Sequence, residues 1–215
     1  MSHWEIRIAL VATLFIGALP QAASGAAPTV TDVIATIAVK GRAPKTGYAR
    51  AQFGPAWDDV DGNGCDTRND ILKRDLSSPV FEGSCKILSG TLLDPYSGEV
   101  INFLRGVSTS SLVQIDHVVA LSNAWQTGAF KLTAEKRAAL ANDPLNLLAV
   151  KGKLNSQKSD GDAATWLPPK KNYRCAYVAR QVAVKAKYGL WLTPPEKAAI
   201  LKIIETCPKQ LVPTR

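Results

Sequence analysis

The residue types that could do chemistry lie between Leu112 and Asp160. His117 follows Asp116 at the end of an apolar run, and the other histidine of the chain is His3, near the N-terminus. Because an imidazole titrates close to neutral pH, His117 is suited to take a proton from water. A lone histidine is more often a packed or surface residue than a catalyst, so its interpretation depends on the residues that follow it.

Those residues suit a divalent cation and a phosphate. Asp116 and Asn155 offer oxygen ligands, which favour Mg²⁺ over Zn²⁺. The amide of Asn146 can hold an imidazole in one orientation, and Lys158 follows Asn155 by about one helical turn. The set suits phosphodiester hydrolysis, in which a base deprotonates water and a cation offsets the charge of the transition state. Taken singly, each residue also has a structural interpretation. Asp116 could be a helix cap or a surface charge, Asn146 a turn residue, and Asn155 a polar group at the end of a helix.

The stretch resembles the HNH, or ββα-metal, endonuclease motif. It is most similar to secreted HNH proteins whose domain also occurs at the C-terminus of GmrSD-type restriction enzymes. The N-x8-N-x2-K spacing also resembles the HNH domain of RNA-guided CRISPR nucleases. The resemblance covers roughly residues 48–200, and its matching segments are IDHVVALSNAWQTGA, ANDPLNLLAV, LNSQKSDGDAATWLPP and YRCAYVARQVAVKAKYGL.

The resemblance implies a role for each site residue. Asp116 and Asn155 would be metal ligands and His117 the general base. Asn146 would orient that base, and Lys158 would bind a phosphate. Asn155 stands where many HNH proteins have a third histidine, which favours Mg²⁺ or Mn²⁺ at the catalytic site. No CxxC pairs flank the motif, so no structural zinc is expected.

The predicted fold class is α+β, a single domain over residues 28–215 built around a ββα-metal motif. The motif core spans 112–160, with strands in LVQIDHVV and NLLAV and a helix in GKLNSQK. A β-hairpin is predicted over 86–104, because two strand-like runs flank the turn sequence DPYSG. Trp125 and Trp166 are expected in the core.

Additional helices are predicted from periodicity and end signals. One spans 31–40, with Thr31 or Asp32 near its start. A second helix begins at Ser122, and a third follows an N-cap at Thr133. A fourth spans 171–189 and ends at Gly189, and a fifth follows a capping box from Thr193 to Glu196. The positive charges of the helix over 171–189 could flank a nucleic-acid groove or form a solvated face. They are Lys171, Arg174, Arg180, Lys185 and Lys187.

The N-terminal residues 1–27 read as a secretory signal peptide, with an apolar IALVATLFIGAL followed by small residues; an uncleaved anchor is the alternative. Four cysteines suit disulfides in an exported protein. Three pairings are possible, and Cys65–Cys85 with Cys175–Cys207 is favoured because each would join neighbouring segments. The mature protein is expected to be secreted or periplasmic, without stable membrane association.

The tract from 48 to 76 contains a second group of polar residues. Arg68 is a candidate phosphate clamp, or a structural arginine tied to an acidic loop. The loop itself could bind Ca²⁺ in an EF-hand-like manner or form a hydrogen-bonded turn, the favoured interpretation. Its oxygen-bearing residues are Asp59, Asp61, Asn63 and Asp70.

The net charge of +8 suits a polyanionic partner. The expected function is that of an exported, metal-dependent endonuclease, a monomer that acts on DNA in preference to RNA with little sequence preference. The alternative is an exported basic protein that binds DNA or another polyanion and whose HNH site is inactive. A Ser-His-Asp hydrolase is disfavoured because the chain lacks a G-x-S-x-G motif.

Overall fold

The computed structural model describes residue 1 and residues 27–214. The predicted signal peptide therefore lies almost wholly outside the described residues. Within the described part, no helix is both long and apolar enough to cross a membrane.

The chain folds as one mixed α+β unit, as predicted. The helices are α1 Val30–Thr36, α2 Thr67–Asp75, α3 Leu121–Gln126, α4 Ala134–Asn142, α5 Gly152–Lys158, α6 Arg174–Lys187 and α7 Pro194–Ile204. The strands are β1 Ser77–Glu82, β2 Lys86–Leu93, β3 Val100–Leu104, β4 Val113–His117 and β5 Leu147–Lys151. Short 3₁₀ turns join several of them, including one at Arg50–Phe53.

The strands form two small antiparallel sheets. The first has the order β1-β2-β3 and contains the predicted hairpin, in which Leu93 pairs with Val100. The second pairs β4 with β5, so that Asp116 lies opposite Leu148 and His117 opposite Leu147. Helix α5 follows β5 without a loop. The β4-β5-α5 unit therefore has the order of elements that the sequence predicted.

Strand β5 lies between two apolar clusters, because successive side chains of a strand point to opposite faces. Leu147 and Ala149 pack with α2 and the three-stranded sheet. Leu148 and Val150 pack into the larger cluster, which holds α1, α6 and α7 together with the buried Trp125. The β4–β5 ladder is thus fixed from both sides.

Helix ends follow the predicted signals in most places. Thr133 caps α4, and Thr193 with Glu196 forms the capping box of α7. Gly189 follows the C-cap of α6 at φ 62°, a conformation that glycine adopts without a steric cost. The predicted start of α1 near Thr31 agrees within one residue, since Thr29 is the N-cap, but the helix ends at Thr36 and not at Lys40.

Lys185 corrects the expectation that the charges of α6 are solvated or line a groove. Its side chain is 1% exposed and lies 2.6 Å from the equally buried Glu196 Oε1. The reason is its position on the apolar face of α6, where a charged side chain can be accommodated only together with a counter-charge.

Both predicted disulfides are present. Cys65–Cys85 connects the acidic loop to the turn between β1 and β2, and Cys175–Cys207 joins the start of α6 to the segment after α7. The two ends of the described chain also meet, because Thr29 and Leu211 form an antiparallel bridge.

Candidate active site

A cleft opens at the C-terminal end of β4. It has a volume of about 280 Å³ and is bounded by β4, the start of α3, the helix α5 and the chain around the 3₁₀ turn at Arg50–Phe53. Three of the predicted site residues line it together, namely Asp116, His117 and Asn155. The other polar lining residues are Tyr48, Arg50, Ser122 and Ser159.

His117 is held between a backbone carbonyl and an aromatic ring. Its Nε2 lies 2.8 Å from the carbonyl oxygen of Ala141, and the ring of Trp57 stacks on the imidazole at a centroid distance of 6.0 Å. Because a carbonyl oxygen only accepts hydrogen bonds, Nε2 carries the proton and Nδ1 is the basic nitrogen. Burial lowers the pKa of His117 from 6.5 to about 4, so the ring is neutral at physiological pH.

Asn146 does not touch the imidazole, but it fixes the backbone that does. Its Oδ1 accepts a hydrogen bond from the Val119 backbone N–H at 2.8 Å, and its Nδ2 donates to the Leu140 carbonyl at 3.3 Å. The next residue, Ala141, provides the carbonyl that holds His117. The fully buried Asn146 therefore ties the end of α4 to the segment after β4.

Asp116 is buried and engaged on both oxygens. Lys158 Nζ donates to its Oδ1 at 2.9 Å, and the hydroxyl of Tyr96 donates to its Oδ2. Tyr96 comes from the turn of the β2–β3 hairpin and is fully buried. Sequence reasoning used that turn only as a hairpin signal and did not identify the tyrosine as a partner of the site.

Lys158 corrects the prediction of a phosphate-binding lysine. Its side chain is 0% exposed, and besides Asp116 it donates to the carbonyl oxygen of His117 at 2.8 Å. The spacing placed it rightly near Asn155, but α5 turns it towards the ladder instead of the cleft. In this position it is the internal counter-ion of Asp116.

The side-chain oxygen atoms at the cleft fit a hard divalent cation that completes its coordination with water. Asn155 Nδ2 donates to Gln114 Oε1 at 2.9 Å, and its Oδ1 has no partner among the described residues. Each oxygen of Asp116 accepts a single bond, which leaves it a further lone pair. Carboxylate and amide oxygens suit Mg²⁺ or Mn²⁺, which keep several water ligands. Among the described residues, those of the cleft included, no group of three or more histidine, cysteine or acidic side chains could hold a metal, so any cation here would depend on the two side-chain ligands and water.

Arg68 does not line the cleft. It lies on α2, is partly desolvated, and its Nη2 is 3.5 Å from the carbonyl of Val113, at the opposite end of β4 from His117. Desolvation lowers the pKa of its guanidinium. The structure thus does not bring it together with the other predicted site residues.

Residues 48–57, the upstream wall, form a side of the cleft that sequence reasoning did not assign. Tyr48 and Arg50 line the cleft, and Trp57 stacks on His117. The tract YARAQFGPAW was already part of the resemblance to HNH proteins. Its dense aromatic and basic residues were therefore the available signal.

The acidic loop after Trp57 is organised by its own carboxylates. Asp59 accepts hydrogen bonds from the backbone N–H groups of Asn63 and Gly64, at 3.2 and 2.9 Å. Asn63 Nδ2 donates to Asp61 at 3.0 Å and to Asp70 at 3.3 Å. This is the hydrogen-bonded turn that the sequence favoured over an EF-hand-like loop.

The model of the C-terminal domain of GmrSD restriction endonucleases matches residues 66–203. The chain belongs to this family. A protein of Arthroderma benhamiae, described as an uncharacterized secreted protein, is 37% identical over 183 residues, which cover 84% of this chain and 86% of that protein. No solved structure matches the chain.

Membership of the GmrSD C-terminal domain family confirms the resemblance on which the site was predicted. The matched range contains Asp116, His117, Asn146, Asn155 and Lys158. The upstream wall lies outside that range. The cleft is therefore built partly from residues that the family model does not include.

Proposed function

We propose that the protein is an exported, monomeric endonuclease that hydrolyses phosphodiester bonds of DNA with the help of Mg²⁺ or Mn²⁺. The observation that carries the proposal is the meeting of Asp116, His117 and Asn155 at one cleft, in a chain of the GmrSD C-terminal domain family. The net charge of +8 suits a polyanionic substrate. Contacts made mainly to phosphates would give little sequence preference.

In this function His117 is the general base. Its Nδ1 accepts a proton from the attacking water, while Nε2 stays bonded to the Ala141 carbonyl. Burial favours the neutral ring that a base requires, and stacking on Trp57 holds its plane. Asn146 acts as a positioning residue, because it fixes the backbone next to that carbonyl.

Asp116 and Asn155 are the residues that would hold the divalent cation. When bound, the cation supplies positive charge next to the phosphate oxygens and the leaving oxygen. Tyr96 and Lys158 orient the Asp116 carboxylate from the protein side.

The buried pair of Lys158 and Asp116 also favours the second candidate, a polyanion-binding protein with an inactive site. An ammonium group already neutralises the only carboxylate that lines the cleft, within the described part of the chain. In that function the cleft would bind phosphates without cleaving them.

Export is supported by three features. The sequence begins with an apolar segment followed by small residues, the fold contains two disulfides, and the relative from Arthroderma benhamiae is described as secreted. Disulfides persist in oxidising compartments. We infer a secreted or periplasmic location.

The two functions are separated by cleavage of supercoiled plasmid. Purified protein is incubated with plasmid in Mg²⁺, in Mn²⁺ and in EDTA, next to His117→Ala and the control Lys202→Ala, which changes an exposed residue of α7. We expect nicking with metal by the wild-type and control proteins, and none in EDTA or with His117→Ala. A labelled RNA of matched length tests the preference for DNA.

Absence of plasmid and RNA cleavage in either metal, from protein that is folded and binds DNA, would favour the binding function. Cleavage that persists in His117→Ala would overturn the assignment of the base.

A further inference from the structure

Few cations near the cleft are free to meet a substrate. Lys158 is buried against Asp116, and Arg68 lies at the far end of β4. Lys45 is paired with Asp160 at 3.1 Å, and the same carboxylate oxygen accepts a hydrogen bond from the cleft residue Ser122 at 3.2 Å. This leaves Arg50 as the cation that lines the cleft itself.

Arg50 is held in place without being neutralised. Its Nη1 donates to the carbonyl oxygen of Gly54 at 3.0 Å, and no carboxylate pairs with it within the described part of the chain. This bond uses a single N–H, so most donors of the guanidinium remain available.

The backbone that carries Arg50 is anchored to α4. Arg137 Nε donates to the Gln52 carbonyl at 2.6 Å. Gly54 has φ 73°, and a Cβ there would lie 3.2 Å from the Cβ of Ala138. The turn therefore packs closely on the helix, and an anchored arginine loses less freedom when it binds an anion.

We propose that Arg50 binds a backbone phosphate of the nucleic acid in the cleft, and that the upstream wall is thereby part of the substrate-binding surface. The inference rests on the proposed function and adds a substrate contact from outside the range matched by the family model. A guanidinium presents parallel N–H groups that match the oxygens of a phosphodiester, which a lysine ammonium cannot reproduce.

The test measures binding separately from cleavage. The His117→Ala protein is titrated against a fluorescein-labelled mixed-sequence DNA duplex in EDTA, and anisotropy is recorded at several salt concentrations. Arg50→Ala, Arg50→Gln and Arg50→Lys are compared in this background with Lys202→Ala, which also removes one charge. Arg50→Gln keeps an N–H donor for the Gly54 carbonyl and serves if Arg50→Ala does not fold. Circular dichroism establishes folding.

We expect Arg50→Ala or Arg50→Gln to weaken binding roughly tenfold and to reduce the slope of log Kd against log salt by about one. Arg50→Lys should retain the salt slope but bind roughly threefold more weakly, because it loses the forked geometry. Lys202→Ala should change Kd by less than about twofold.

Equal affinity and equal salt slope for folded Arg50→Gln and Lys202→Ala would overturn the inference while leaving the proposed function intact. Failure of the folded His117→Ala parent to bind the duplex would also overturn the inference, whereas the proposed function is decided separately by plasmid nicking.

Discussion

Lys158 Nζ lies 2.9 Å from Asp116 Oδ1, and the side chains are 0% and 4% exposed. The two residues are 42 positions apart in the chain, on α5 and β4. The pair joins the helix of the β4-β5-α5 unit to its first strand. It also fixes the carboxylate that lies next to the base.

Removing this lysine should destabilise the fold. Lys158→Met leaves the Asp116 carboxylate buried without a counter-charge, and we expect the free energy of unfolding to fall by about 3 kcal/mol. Urea denaturation measures it, with Lys202→Met as the exposed control. Adding Asp116→Asn to Lys158→Met should recover part of the loss. A loss no larger than that of the control would contradict a buried ion pair.

Tyr96→Phe should cost less than Lys158→Met but act on the same carboxylate. It removes the hydroxyl that donates to Asp116, and we expect a loss of about 2 kcal/mol in unfolding free energy and slower nicking. Tyr173→Phe is the matched control, because Tyr173 belongs to the same aromatic cluster and its hydroxyl makes no hydrogen bond to a described residue. Similar effects of the two substitutions would speak against the Tyr96–Asp116 bond.

Stability should depend on pH through His117, whose pKa burial lowers from 6.5 to about 4. As the pH falls below 6.5, the unfolded chain takes up a proton that the folded ring does not take up until about pH 4. The stability due to the neutral ring is therefore complete above pH 6.5 and is lost progressively towards pH 4. The unfolding free energies of wild type and His117→Gln in EDTA should converge in this window. A difference that does not vary with pH would refute a lowered pKa.

The two disulfides should differ in their effect on the cleft. Each closes a loop, with sequence separations of 20 and 32 residues, so replacing either pair with alanine should cost about 3 kcal/mol. Cys65–Cys85 also fixes the acidic loop that follows Trp57, the residue stacked on His117. We expect the first replacement to slow nicking at a temperature where both variants are folded. Equal nicking rates would show that the loop does not position the base.

The helix caps and the hairpin were predicted correctly, because these features depend on residues that are close in the sequence. The cap of α4 at Thr133 and the capping box of Thr193 with Glu196 arise from contacts within a turn, and the hairpin follows from its turn sequence. The order of β4, β5 and α5 followed from the resemblance. These features need no knowledge of the tertiary fold.

The errors concern contacts between distant parts of the chain. Lys158 was predicted to bind a phosphate from the resemblance and its position one turn after Asn155, and Lys185 to flank a nucleic-acid groove or lie on a solvated face. Their buried carboxylate partners cannot be inferred from spacing alone. Strand β1 was missed because it is mostly exposed, contains Pro79, and is irregular around Ser78, which has φ 50°. Because apolar and polar residues do not alternate along β1, its sequence carries no strand signal.

The bridge between Thr29 and Leu211 has a consequence for the order of events in folding. The apolar side of α1, with Val30 and Ile34, packs against α6 and α7, which lie far along the chain from it. A chain that is made from its N-terminus must keep this helix unpartnered until α6 and α7 are available. The larger core can therefore close only after α6 and α7 have been made, so that its assembly waits for segments far along the chain from α1.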